Sequence, residues 1–95
     1  MDRVVWKDKV DKQLERIPFY IRDKFHYWVD LVEKYSVSEA RKVKGFHDEP
    51  LKGCLSGRRS VRLNRAYRLI YRSIGEKIKI QKIEVLEITK HEYKK

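Results

Sequence analysis

The sequence has little of several things. It holds one cysteine, two prolines and four glycines in 95 residues. The lone Cys54 cannot close an internal disulfide, which excludes a small secreted scaffold and makes a reducing cytoplasm the expected setting. No apolar run approaches the ~20 residues of a membrane span. The opening stretch MDRVVWKDKVDKQ lacks the apolar segment of a signal peptide. There is no internal repeat and no low-complexity linker. A chain this short buries only ~60–65% of its unfolded surface, so one domain over 1–95 is expected, with no room for a cofactor domain. No cofactor is expected. Eleven aromatic residues argue against disorder, because such rings need a core or a partner.

Acidic residues are missing from one region in particular. The formal net charge is +10, and it is not evenly spread. Residues 1–40 contain eight Lys/Arg and eight Asp/Glu, whereas 41–95 contain sixteen and six. All the excess charge therefore sits in the second part. From Lys52 to Arg72 there are seven basic residues and no acidic one: Lys52, Arg58, Arg59, Arg62, Arg65, Arg68 and Arg72. A basic run is often only a solvated face. This one is uncompensated and is almost all arginine, the side chain suited to forked phosphate contacts. These seven are the candidate phosphate- and RNA-binding residues.

Hydrophobic spacing divides the chain in two. RVVWK (3–7) predicts a short strand. Val10, Leu14 and Ile17 recur at helical spacing, Pro18 interrupts, and Ile21, Phe25, Trp28 and Val32 form the apolar stripe of a second helix over 19–35. Ser36 and Glu39 have capping-box spacing, which predicts a short third helix over 37–43. The loop 44–57 holds three of the glycines and one proline. Residues 58–64 and 67–73 then alternate as strands, Ile74-Gly75-Glu76 reads as a turn, and 77–89 reads as a long strand with a bulge near Gln81–Lys82. The expected fold is α+β in two layers. N-terminal helices pack on a small antiparallel sheet in the order β-α-α-β-β-β, and the first strand is free to join at an edge.

A three-residue loop at Asn64-Arg65-Ala66 would pair Leu63 with Tyr67, Val61 with Leu69 and Arg62 with Arg68. Like charges directly opposite destabilise a sheet unless something anionic lies between them. The two guanidiniums either splay into water or onto Glu76, Glu84 or Glu87, or form a clamp for a phosphate; the second reading is preferred. RNA can be cut without metal if a general base activates its 2′-hydroxyl, cations stabilise the phosphorane and an acid protonates the leaving 5′-oxygen. Glu49, beside the basic run, and His91, past the last strand, are residue types able to do this. His26, His47 and His91 have no zinc-site spacing, and no metal is expected.

The segment EPLKGCLSGRRSVRLNRAYRLIY (49–71) resembles the central motif of RelE-type toxins of bacterial type II toxin–antitoxin systems. The likeness is strongest to the PLKG…LSG…SRRI…HRLVY pattern of the YoeB-like branch. The tail ITKHEYKK (88–95) resembles the His/Tyr-bearing end of the same superfamily, and the length of the first forty residues is nearer to HigB-like members. This resemblance to the RelE/ParE superfamily implies a RelE-like microbial RNase fold and a ribosome-dependent mRNA endonuclease (mRNA interferase). It would cut the message in the A site and inhibit translation. The implied partners are a cognate antitoxin, the 30S A site with its rRNA, and mRNA; no membrane is involved. Carried over by motif position, Glu49 is the general base, Lys52 and Arg62 hold phosphates, and Arg68 stabilises the transition state. His91 is the general acid and Tyr93 stacks on the scissile nucleotide. On a strand His91 and Tyr93 share a face, and in a helical turn they do not; both arrangements stand open. Two other functions remain: a ParE-type gyrase inhibitor, which generally lacks the acid/base set, and a non-catalytic nucleic-acid-binding module.

Overall fold

The computed structural model describes residues 2–75 and 81–90. The expected start of the last strand at 77, His91 and Tyr93 lie outside the described residues. β1 (Asp2–Trp6) is followed by α1 (Asp8–Glu15), α2 (Phe19–Lys34) and α3 (Val37–Arg41). The second part supplies β2 (Glu49–Pro50), β3 (Arg59–Arg62), β4 (Tyr67–Ile74) and β5 (Gln81–Lys90). Two of the helices begin where their local chemistry starts them. Pro18 precedes α2, and Ser36 caps α3 by accepting the Glu39 amide on its hydroxyl at 3.1 Å. Asp2, from β1, accepts a second α3 amide, that of Val37, at 2.7 Å. Ser36→Ala is expected to cost about 1 kcal/mol, read as a lower urea midpoint at unchanged slope.

The α+β, two-layer reading holds, with a wider sheet than expected. The strand order is β1-β5-β4-β3-β2. β1 joins β5 in parallel, so the sheet is mixed rather than antiparallel, and the two-residue β2 adds a fifth strand at the other edge. Side chains satisfy the backbone where neighbouring strands do not. Glu33 accepts the Val4 amide at 3.1 Å, and Gln13 accepts the Ile88 amide at 2.7 Å. The hairpin register is the expected one, Val61↔Leu69 and Arg62↔Arg68, with Leu63 bonded to Tyr67 beyond it. Asn64 fixes the turn by accepting both the Ala66 and Tyr67 amides on its Oδ1 at 2.8 Å. Gly75 takes φ +80° after β4, where a side chain would be strained.

The register irregularity lies later than predicted. Gln81–Val85 pair regularly with β1, and Tyr71–Ile74 pair regularly with Lys82–Val85. The shift comes between Ile70, opposite Glu87, and Tyr71, opposite Val85. The core-facing residues of β5 accordingly run Ile83, Val85 and then Ile88.

One face of the sheet is packed. Ile21, Phe25, Trp28, Val29 and Val32 of α2 are buried against Val4, Val61, Leu69, Tyr71, Ile83 and Val85. Each such large apolar side chain contributes ~1.5–3 kcal/mol of transfer free energy. Trp28 and Phe25 are thus core, as expected. Among the described residues no helix is long and apolar enough to cross a membrane.

Candidate functional site

The other face of the sheet carries the polar half of the alternation. Ser60 and Arg62 on β3, Arg68 and Ile70 on β4, and Glu87 and Thr89 on β5 floor a cleft of about 520 Å³. The loop before β3 walls it with His47, Glu49, Leu51, Leu55 and Arg58. Strand period alone puts 60 and 62, and 68 and 70, side by side here. Glu49 is placed by its β2 pairing, opposite Ser60.

The two facing arginines are held differently. Arg68 folds its Nη1 onto the hairpin, donating to the Asn64 carbonyl at 2.9 Å and lying 3.3 and 3.4 Å from those of Tyr67 and Arg65. These contacts fix its guanidinium without neutralising it. Arg62 has its Nε buried, with no hydrogen-bond partner among the described residues. Neither arginine pairs with a described carboxylate: Glu84 is taken by Arg72 (3.0 and 2.9 Å), and Glu87 by Lys9 (3.1 Å). A buried donor left without a partner costs ~1–3 kcal/mol. Two cations directly across one rung favour an anion between them.

On the packed side of the same loop lies a second charged cluster. Asp48 has a side chain only 1% exposed. It accepts from Arg59 Nε and from the Tyr71 hydroxyl, both at 2.6 Å. Arg41 Nε donates in turn to the Tyr71 oxygen at 3.3 Å. Burial pushes the Tyr71 phenol up to about 12, the bond to Asp48 adds to this, and Arg41 pulls the other way. Burial pulls the Arg59 guanidinium down, but the bond to and charge of Asp48 outweigh it and the net direction is up. A phenol whose value is raised by folding stabilises the fold below its unfolded value near 10, and that contribution is lost as pH rises to about 12. The melting temperature of the native chain is therefore expected to fall more steeply between pH 10 and 12 than that of Tyr71→Phe. Parallel curves would contradict this.

No protein-family model and no curated protein sequence matches the chain. Solved structures do. A YoeB/ParE toxin from Agrobacterium tumefaciens is 25% identical over 95% of this chain and 99% of its own, with a TM-score of 0.66. A chain of the archaeal RelE–RelB complex from Pyrococcus horikoshii OT3 is 28% identical over 93% and 92%, with a TM-score of 0.67. A chain of the YoeB–YefM complex from Staphylococcus aureus is 16% identical over 97% and 99%, with a TM-score of 0.69, a likeness of fold alone. The fold is that of the RelE-superfamily toxins.

In this chain the structure brings Glu49, Arg58, Arg62 and Arg68 together in the cleft. Lys52 is exposed between the lining residues Leu51 and Leu55, at the border. Arg65 is exposed at the hairpin tip. Two residues of the basic run are placed elsewhere. Arg59 points to the packed side and is bonded to Asp48, and Arg72 is paired with Glu84. The signal for Arg59 was present: it shares strand parity with Val61 and Leu63, not with Arg62. His47 is the cleft residue that sequence reasoning missed. Its Nε2 lies 3.8 Å from Glu49 Oε2. The parity of 47, 49 and 51 was the available clue, hidden inside a loop. Among the described residues no three His, Cys, Asp or Glu side chains gather as metal ligands. Cys54 is exposed.

Proposed function

We propose that this chain is the toxin of a type II toxin–antitoxin pair, and that it acts in the cytoplasm as a metal-independent endoribonuclease on mRNA in the ribosomal A site. The observation that carries the reading is one cleft lined by Glu49 together with Arg62 and Arg68, two guanidiniums without described carboxylate partners. Glu49 takes the proton from a ribose 2′-hydroxyl, whose oxygen attacks the adjacent phosphorus. Arg62 and Arg68 stabilise the charge on the phosphorane oxygens, while Arg58 and Lys52 hold flanking phosphates. The P–O5′ bond breaks, His91 protonates the leaving oxygen, and Tyr93 stacks on the scissile nucleotide. The products are a 2′,3′-cyclic phosphate and a 5′-hydroxyl end. The ribosome positions the message, which lets so small a chain act as a nuclease. The other half of the pair is a cognate antitoxin, supported by the neighbours that are themselves toxin–antitoxin complexes.

The test is to induce the chain and map message 5′ ends with translation running and with it blocked. New ends within translated frames, lost when translation stops, are the expected result. Intact messages with gyrase-dependent DNA damage would instead establish the ParE-type activity. Binding to RNA without new ends would leave a nucleic-acid-binding module.

A further inference from the structure

Three consecutive ionisable residues on one loop face two ways. His47 and Glu49 line the cleft, and Asp48 between them is turned into the body of the protein. The Asp48 carboxylate is held by two strands at once, Arg59 of β3 on one oxygen and Tyr71 of β4 on the other. Arg41 ties α3 to the same hydroxyl. It cannot turn without breaking a bond. The loop is pinned on both sides of this point. Phe46 is fully buried before it, and Glu49 is paired with Ser60 after it. His47 adopts a left-handed backbone at φ 46°, sparsely used by non-glycine residues. Stability alone does not account for the cluster, because a buried ion pair can often be replaced by apolar residues of similar volume at no loss. What apolar residues would not supply is direction.

We infer that Asp48 is a positioning residue: its bonds to Arg59 and Tyr71 hold His47 and Glu49 side by side at the cleft wall, facing Arg62 and Arg68. The activity readout rests on the nuclease reading above; the structural readout does not. Asp48→Asn keeps the size but removes the charge and turns one acceptor into a donor, so the ion pair with Arg59 is lost and the Tyr71 proton loses its acceptor. On programmed ribosomes it is expected to lower kcat by on the order of tenfold or more, with KM little changed, because the reacting group is misplaced rather than the binding surface. In a Glu49→Gln background the same change is expected to cost almost nothing, since there is no base left to aim. Equal losses in both backgrounds would overturn the inference and leave Asp48 a stabilising residue. Independently of catalysis, Asp48→Asn is expected to shift the His47 ring signals in NMR spectra and to speed amide exchange at residues 47–49. An unchanged spectrum with unchanged exchange would overturn the inference even if the chain cuts no message, whereas a native chain that fails to cut overturns only the nuclease reading.

Discussion

Replacing Arg62 by methionine is expected to raise the melting temperature while lowering message cleavage by about 10²- to 10³-fold. The two effects have one origin. Arg62 buries an Nε that finds no acceptor among the described residues and sits directly across from Arg68. In the free protein this geometry is a cost of ~1–3 kcal/mol for the unmet donor, with like-charge repulsion added. Methionine reaches about as far as Nε and has no donor and no charge. A gain on the order of 1 kcal/mol in a domain of this size moves the melting temperature by about 4–8 °C. On the proposed mechanism the Arg62 guanidinium is a cation set against the charge that develops on the phosphorane, and loss of one such group accounts for the fall in rate. Stability bought at the expense of activity is the signature of a site held ready for its ligand. Thermal melts and cleavage assays on one preparation decide it. A variant that is less stable and fully active would sink the assignment of the cleft.

Glu49→Gln is expected to lower cleavage by about 10²- to 10⁴-fold, the range a positioned general base contributes. Glutamine preserves shape and neutral hydrogen bonding but cannot take the 2′-hydroxyl proton. The side chain is half exposed, and its described ionic neighbour is His47 at 3.8 Å. The fold should therefore move by no more than about 0.5 kcal/mol. Ribosome binding should be retained, because the cations of the cleft are untouched. Full activity would remove Glu49 from the chemistry; loss of ribosome binding would make it a contact residue instead.

Much of this was legible locally. The helices follow from the spacing of Val10 and Leu14 and of Ile21, Phe25, Trp28 and Val32, and from the cap at Ser36. The Arg62–Arg68 rung follows from the Asn64-Arg65-Ala66 turn, because a hairpin loop sets the register of both its strands. The bulge was expected at Gln81–Lys82, but the pairing breaks opposite Ile70 and Tyr71. The Ile83, Val85, Ile88 spacing also carried that break, but a charged residue on either face blurs the alternation.

The sequence by itself determined the two-part organisation, the strand faces of the hairpin and the concentration of cationic side chains beside Glu49. These depend on period and on residues within a few positions of one another. Only the tertiary structure decided which cations are paired with carboxylates and which line the cleft. Arg59 and Arg72 are neutralised by Asp48 and Glu84, eleven and twelve positions away, while Arg62 and Arg68 are left facing the cleft. The tertiary structure also decided the parallel edge strand β1, paired with a segment nearly eighty positions on, and the placing of His47 beside Glu49. Coulomb and hydrogen-bond partners are set by distance in space, and a list of charges along the chain does not contain that distance.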